Sequence, residues 1–291
     1  TTAQAAALTT AQVVALSTEQ VANLETADLR AMSSTQFTAL TSDQVVSLTA
    51  SQVAALETLD LRALNTDGIA AMGTDRIAAL TASQAAALTN AQVQALTDTQ
   101  MAALTTANIR AMGTAQFAVI SSTQVEGLGT AQVAALETAD LRAMSTTAVA
   151  QLSTAQIRAL GTEHVAGLST AQVANLTTEQ VAALETADIR AMVSAQFAAL
   201  TTAQAEALST EQIAAIETLD LRQLTTQAVA VLSTAQVAAL TTAQAAALTN
   251  AQVAGMTTTQ IEALETADLA AMTTAQVQAL ATAGAAALTT A

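Results

Sequence analysis

A leucine, methionine or isoleucine recurs at every eighth residue from Leu8 to Leu288. The chain is therefore one octapeptide, close to Thr-Thr-Ala-Gln-Val-Ala-Ala-Leu, repeated 36 times with variation and followed by residues 289–291. We label the positions of this octad a to h, so that Thr9 is at a and Leu16 is at h. A fixed internal period is the signature of a repeat architecture, in which each unit buries its apolar face against its neighbours.

The octad predicts a short helix with its own start signal. Its apolar positions are e and h, which are three residues apart and so lie on one face of an α-helix. Position a is mostly Thr or Ser and position d is mostly Gln, as in Thr9 with Gln12 and Ser233 with Gln236. This spacing is a capping box, which marks the first turn of a helix. We therefore expect one short capped helix in each octad.

Two other architectures fit the period less well. In one continuous helix, an octad advances by about 800°, so successive h positions would rotate by about 80° and form no seam. A β-solenoid is suggested by the Ala-Asp-Leu-Arg stretches at 27–30 and 139–142, which resemble pieces of a pentapeptide repeat. However, the period is eight, and positions e and h do not alternate as in a strand. We predict an all-α solenoid, or superhelix, with two octads in each layer.

A second, longer period is superimposed on the octads. Variant octads close to Glu-Thr-x-Asp-Leu-Arg-Ala-Met begin at Glu25, Glu57, Glu137, Glu185 and Glu217, with weaker versions at Thr105 and Glu265. Their spacings alternate between four and six octads, and Phe37, Phe117 and Phe197 are ten octads apart. A superhelix of five octads per turn would bring the variants to one side of the molecule. Duplication of a ten-octad block is the alternative, and it needs no geometric meaning.

If the geometric interpretation holds, the variant octads form a charge stripe that pairs between turns or between neighbouring fibres. Its members are Glu25, Asp28, Arg30, Glu57, Asp60, Arg62, Glu137, Asp140, Arg142, Glu185, Asp188, Arg190, Glu217, Asp220 and Arg222. Exposed ion pairs contribute about 0–1 kcal/mol each, so such a stripe would set register more than stability. A solvated face that keeps the protein soluble is the other interpretation.

The composition removes most kinds of chemistry. A net charge of −15 argues against nucleic acid, whose phosphates need a basic surface, and no stretch is apolar enough for membrane insertion. There is no Cys, and the single histidine, His164, takes a d position where Gln is usual, so we interpret it as surface variation. We expect no catalytic residue, no cofactor and no metal site. Calcium is a weak possibility only, because no Asp-rich loop with a glycine is present.

Units such as Ser17-Thr18-Glu19-Gln20-Val21-Ala22-Asn23-Leu24 occur along the whole chain. They resemble the Ala/Thr/Gln/Leu octapeptide arrays of very large secreted or surface proteins of bacteria. The resemblance lies in a compositional repeat and includes no functional residues. It implies an extracellular or cell-surface stalk, adhesin shaft or fibre.

We therefore expect a structural protein rather than an enzyme. Residues 1–291 should form a single continuous solenoid with an 80-residue higher repeat, excerpted from a longer chain. Its expected partner is itself, through head-to-tail or lateral association. The alternatives are a module that binds calcium, a glycan or ice along one repeat face, and an intracellular scaffold for protein partners.

Overall fold

The computed structural model of the chain describes residues 1–280 and 285–286. Within that part the chain forms α-helices joined by short connections and contains no strand, so the predicted all-α class is confirmed. Helix αn occupies octad n, which also confirms the prediction of one short helix per octad for the first 35 octads. Most of the last octad lies outside the described residues.

The chain forms two compact units, Thr1–Gln151 and Leu152–Ala291. The helices of the first unit are α1 (Thr2–Ala7), α2 (Thr10–Val14), α3 (Thr18–Ala22), α4 (Thr26–Ala31), α5 (Ser34–Thr38), α6 (Ser42–Ser47), α7 (Ala50–Ala55), α8 (Thr58–Ala63), α9 (Thr66–Ala71), α10 (Thr74–Ala78), α11 (Ala82–Ala87), α12 (Asn90–Ala95), α13 (Asp98–Ala103), α14 (Thr106–Ala111), α15 (Thr114–Phe117), α16 (Ser122–Glu126), α17 (Thr130–Val133), α18 (Thr138–Ala143) and α19 (Thr146–Ala150).

The helices described in the second unit are α20 (Thr154–Ala159), α21 (Thr162–Gly167), α22 (Thr170–Ala174), α23 (Thr178–Ala183), α24 (Thr186–Ala191), α25 (Ser194–Ala199), α26 (Thr202–Ala207), α27 (Thr210–Ala215), α28 (Thr218–Leu221), α29 (Thr226–Ala230), α30 (Thr234–Ala238), α31 (Thr242–Ala247), α32 (Asn250–Gly255), α33 (Thr258–Glu262), α34 (Thr266–Ala271) and α35 (Thr274–Ala279). No helix in the described part of the chain combines the length and the apolar character needed to cross a membrane.

The residues that connect successive helices, at positions h and a, have extended backbone conformations. In octad 12, Thr89 is extended (φ −70°, ψ 155°), Asn90–Ala95 form α12, and Leu96 is extended again (φ −62°, ψ 138°). No described residue has the positive φ of the left-handed region. The chain therefore turns between helices without requiring a glycine or a proline at the corner.

Most helices are held at their start by the predicted capping box. In α12 the Thr89 N–H donates to Gln92 Oε1 at 3.0 Å, and the Gln92 N–H donates to Thr89 Oγ1 at 3.2 Å. At the other end the Leu96 N–H donates to the Val93 carbonyl at 3.2 Å. A helix of this length is not stable alone in water. The caps therefore define where each helix begins, and packing between octads supplies its stability.

Within each unit the side chains at e and h form the core. Val93 and Leu96 are 0% and 3% exposed in the first unit, and Ile213 and Ile216 are 0% and 3% exposed in the second. Helices pack against the helix three octads further along, as α1 does against α4 and α31 does against α34. This arrangement confirms the predicted repeat solenoid in each unit.

The predicted number of octads per turn was wrong. Helix packing joins octads three apart, while the Gln36 side chain donates to the Ala5 carbonyl, four octads earlier, at 2.9 Å. One superhelical turn therefore takes between three and four octads, and neither two octads per layer nor five octads per turn is observed. The four-octad spacing of variant octads instead places them on adjoining turns.

We expect Phe117→Ala to destabilise the first unit by about 3–5 kcal/mol, because it opens a cavity at a fully buried e position. Hydrogen exchange should show the loss mainly in octads near α15, because repeat proteins are stabilised by their nearest neighbours. Leu59→Ala, at a side chain that is 66% exposed, is the control. An equal loss of protection in both variants would contradict the assignment of e as the core position.

Candidate functional site

The most distinctive polar feature of the molecule is the buried Gln at position d. Gln92 is 1% exposed. Its Oε1 accepts the Thr89 N–H, while its Nε2 donates to the carbonyls of Leu61 at 2.8 Å and Leu64 at 3.1 Å. These carbonyls belong to positions e and h of the octad four places earlier. One side-chain amide therefore caps its own helix and bonds it to the preceding turn.

The same pair of bonds recurs throughout both units, with distances from 2.6 to 3.2 Å. We call this set the glutamine ladder; its members are Gln36, Gln44, Gln52, Gln84, Gln92, Gln100, Gln116, Gln124 and Gln132 in the first unit and Gln196, Gln204, Gln212, Gln236, Gln244, Gln252, Gln260 and Gln276 in the second.

The ladder explains why the residue at d is Gln and not Glu. The spacing within an octad predicts only a capping box for this residue, in which Glu and Gln serve equally well because each offers an oxygen acceptor. Gln occupies d in 23 octads, however, and Glu in none. Only the amide also carries N–H donors. The exclusion of Glu was therefore the signal in the sequence that could have revealed bonding between turns.

Two residues that replace Gln at position d still provide a hydrogen-bond donor. Asn108 is shorter than Gln, and its Nδ2 reaches only the h carbonyl of the earlier octad, at Leu80, at 2.9 Å. Arg76 donates from Nε to the corresponding carbonyl of Leu48. In both cases a different side chain restores the bond to position h, which shows that the h carbonyl is the more consistently satisfied of the two.

A third substitution is compensated from another position of the octad. Gly68 at d has no side chain, and a Cβ there would lie 2.6 Å from the Cβ of Val45. The missing donor is supplied by Asn65 at position a, whose Nδ2 donates to the Leu40 carbonyl at 2.9 Å. Its Oδ1 accepts the Gly68 N–H at 2.7 Å. Asn65 thus combines the roles that Thr and Gln share elsewhere.

Each of the three Phe residues corresponds to a small residue at position d of the adjoining turn. Four octads after each Phe, at the d position in ladder register with its carbonyl, stands a small residue: Gly68 after Phe37, Ala148 after Phe117 and Ala228 after Phe197. All three rings are fully buried. A large side chain at e is thus paired, in ladder register, with a small residue at d.

Aspartates at d interrupt the ladder, because an ionised carboxylate has no donor for the two carbonyls. Five of them are at most 8% exposed: Asp60, Asp140, Asp188, Asp220 and Asp268. Ser34 donates its hydroxyl to Asp60 at 3.0 Å, and Ser194 makes the equivalent bond to Asp220. The other three have no such serine bond among the described contacts.

Four of these five aspartates have an arginine at position f of the octad four places earlier: Arg30 before Asp60, Arg110 before Asp140, Arg158 before Asp188 and Arg190 before Asp220. In ladder register this f position lies on the adjoining turn, since Gln44 Nε2 also contacts the f carbonyl of Val14 at 3.3 Å. The exception is Asp268, which follows Ala238. Its Oδ2 is the buried side-chain oxygen that has no hydrogen-bond partner in the described part of the chain.

The residues of the predicted charge stripe lie partly on the surface and partly in the interior. Its glutamates and arginines are exposed, namely Glu25, Glu57, Glu137, Glu185, Glu217, Arg30, Arg62, Arg142, Arg190 and Arg222. Its aspartates, apart from the half-buried Asp28, lie inside. They are therefore not surface charges, because position d belongs to the ladder. Arg30 donates from Nε to the Ala55 carbonyl at 3.0 Å rather than to a carboxylate.

Burial shifts the titration of these carboxyls. It raises the pKa of Asp140 from 3.8 to about 6, helped by the negative charge of Glu137 and opposed by a hydrogen bond from the Glu137 backbone. Burial also raises the pKa of Asp60 and of Asp188. A protonated carboxyl regains an O–H donor, which makes it chemically similar to the glutamine amide that it replaces.

Each unit also carries a surface groove of about 490 Å³, and seven lining residues of the first groove recur in the second at a separation of twenty octads. In the first unit the polar lining is Arg62, Thr89, Asn90 and Gln116. In the second unit it is Arg222, Thr249, Asn250, Thr273 and Gln276. Thr89 and Gln116 are engaged in capping and in the ladder, so the arginine and the asparagine are the donors that the groove offers to an anionic or polar group.

The described residues contain no group of three or more His, Cys, Asp or Glu side chains that could hold a metal ion. His164 Nδ1 accepts the Gly161 N–H at 3.0 Å, which is the capping bond that Gln makes elsewhere. The geometry therefore assigns His164 a capping role.

Comparison with known proteins supports the repeat architecture. A family model described as the ALTTAQ repeat matches residues 21–58, 53–90, 106–138, 133–170, 157–186, 181–215, 213–250 and 261–291. These eight segments together cover more than half of the chain. No curated protein matches it.

We expect Gln92→Glu to destabilise the first unit by about 2–4 kcal/mol, because two buried carbonyls lose their donor and face a carboxylate. Hydrogen exchange in octads 8 and 12 measures the effect. Gln94→Glu is a matched control, since Gln94 is exposed and lies on the same helix. Equal effects of the two substitutions would show that the ladder does not stabilise the fold.

We expect Asp140 to make the first unit less stable as the pH rises from about 4 to above 6. The native carboxyl keeps its proton up to a pKa of about 6, whereas the unfolded one loses it near 3.8, so the native state binds more protons in this window. Urea unfolding across the window should show a weaker pH dependence in Asp140→Asn. Asp43→Asn, at an exposed position, should leave the dependence unchanged, and the opposite result would contradict the assignment.

Proposed function

We propose that this chain, which belongs to the ALTTAQ repeat family, is a structural segment of an extracellular fibre, stalk or adhesin shaft and performs no catalysis. The observation that carries the proposal is the glutamine ladder. In both units it adds main-chain hydrogen bonding between turns to the apolar packing at e and h. Turns joined in both ways resist separation better than turns joined by packing alone.

The division between interior and surface supports the same proposal. In each unit the interior is filled by the chain's own side chains at d, e and h, which leaves no room there for a ligand or substrate. The surface carries mainly small and charged side chains at the other positions. A repeated unit with a filled core suits a spacer, whose task is to hold other parts of a protein at a distance.

The extracellular location and the self-association belong to the proposal as well. The location rests on the resemblance to octapeptide arrays of large bacterial surface proteins. Calcium and ice binding receive less support. The described carboxylates form no cluster for a metal, and hydroxyls at position a, such as those of Thr41 and Thr89, are engaged in helix capping.

The experiment that tests this function is electron microscopy of the purified chain beside a chain in which one ten-octad block is duplicated. We expect narrow particles whose length increases in proportion to the number of octads, because each added turn stacks on the last. Joined filaments would indicate a self-assembling fibre, and separate rods would indicate a spacer. Compact particles that grow in all dimensions would contradict the proposal.

A further inference from the structure

Three residues that break the octad pattern meet at one place in each unit. Leucine at position c occurs only at Leu59 and Leu219, and asparagine at position b occurs only at Asn90 and Asn250. The octads of the two leucines also carry Arg62 and Arg222. We call Leu59, Arg62 and Asn90 the first patch, and Leu219, Arg222 and Asn250 the second patch. Along the sequence the two patches are separated by twenty octads, which is two higher repeats.

The geometry of the first patch joins two adjoining turns. Leu59 and Arg62 are three residues apart on α8 and so share a helix face. Octad 12, which contains Asn90, is bonded to octad 8 by Gln92, and Arg62 and Asn90 line the same groove. Leu59 is 66% exposed, and its counterpart Leu219 is 69% exposed. Among the described residues these are the most exposed large apolar side chains.

The arginines of the patches differ from most other arginines at position f in their surroundings. Arg30, Arg110, Arg158 and Arg190 each precede an aspartate at d, four octads later, whereas Arg62 and Arg222 precede Gln92 and Gln252. Arg142 also precedes a glutamine, but its octad lacks the leucine at c. Within the described contacts, Arg62 and Arg222 make no ion pair and no hydrogen bond. Each is therefore an exposed cation that has no aspartate at the d position four octads later.

We propose that each patch binds an exposed carboxylate of a second copy of this chain, so that the solenoids associate side by side. This inference rests on the proposed structural function and specifies how copies would associate. The guanidinium would take the carboxylate with two parallel hydrogen bonds. The asparagine amide adds a donor beside it, and the leucine covers the aliphatic part of the acidic side chain.

Charge and period both point to a second copy as the partner. The chain has 23 acidic residues against eight arginines, so another copy offers carboxylates in abundance. The two patches have the same residue types and are separated in sequence by a whole multiple of the chain's own repeat. A partner with the same repeat carries like carboxylates at the same sequence spacing, so each patch can meet an equivalent carboxylate.

Sedimentation velocity of the full chain, from micromolar to millimolar concentration at near-physiological salt, tests the proposal. We expect the wild type to associate as its concentration rises. In Arg62→Gln/Arg222→Gln the association should be about tenfold weaker, equivalent to ~1.4 kcal/mol. The matched control is Arg110→Gln/Arg190→Gln, which removes the same charge from the same octad position beside an aspartate. It should associate like the wild type.

A second variant guards against effects on folding. Leu59→Ala/Asn90→Thr/Leu219→Ala/Asn250→Thr restores the residues that are usual at these positions, so the variant should fold normally, as circular dichroism will show. It too should associate more weakly. A wild type that stays monomeric, or an equal loss in the arginine variant and its control, would overturn the proposal. A monomeric wild type that is still rod-shaped by electron microscopy would overturn lateral docking alone, whereas compact particles would overturn the structural function.

Discussion

The structure depends on the Gln side chain at position d, whose amide makes three hydrogen bonds. A helix of so few residues ends before most of its carbonyls find an intrahelical partner, and stacking such helices buries those carbonyls away from water. The amide at d gives its oxygen to its own helix start and its hydrogens to the e and h carbonyls of the preceding turn. Without that donor, each buried carbonyl would cost about 1–3 kcal/mol. In most octads the amide at d therefore reconciles the short helix with the tight solenoid.

Substitutions at d show how strictly this constraint acts. Where the amide is shortened, as at Asn108, the h carbonyl is still bonded, and where it is absent, as at Gly68, Asn65 supplies the donor from position a. Where an aspartate replaces it, an arginine usually stands on the adjoining turn. Asp268 lacks that arginine and has an unpartnered buried oxygen. The ten-octad period thus coincides with a set of exceptions to the ladder, of which Asn108 and Gly68 keep a donor for the h carbonyl.

Local features of the fold could be predicted from the sequence, whereas contacts between turns could not. The capping boxes and the burial of e and h follow from spacings within one octad, and they are observed as expected. The number of octads per turn depends on how far a Gln side chain reaches across to another turn, which no periodicity records. For the same reason the aspartates of the stripe were expected at the surface, although position d lies inside. The absence of Glu at d was the one trace of this arrangement in the sequence.

A perfectly uniform array would specify its register poorly. If one turn slipped by one octad against the next, every Gln would still meet carbonyls at e and h, so the ladder alone cannot distinguish the two alignments. The exception at Gly68 can, because a slip would bring a d residue with a Cβ to the place of Gly68, where a Cβ would lie only 2.6 Å from the Cβ of Val45. It would also bring large side chains at e opposite d positions that still carry Gln. The departures from the octad therefore give the solenoid a single alignment, much as polar residues at core positions fix register in coiled coils.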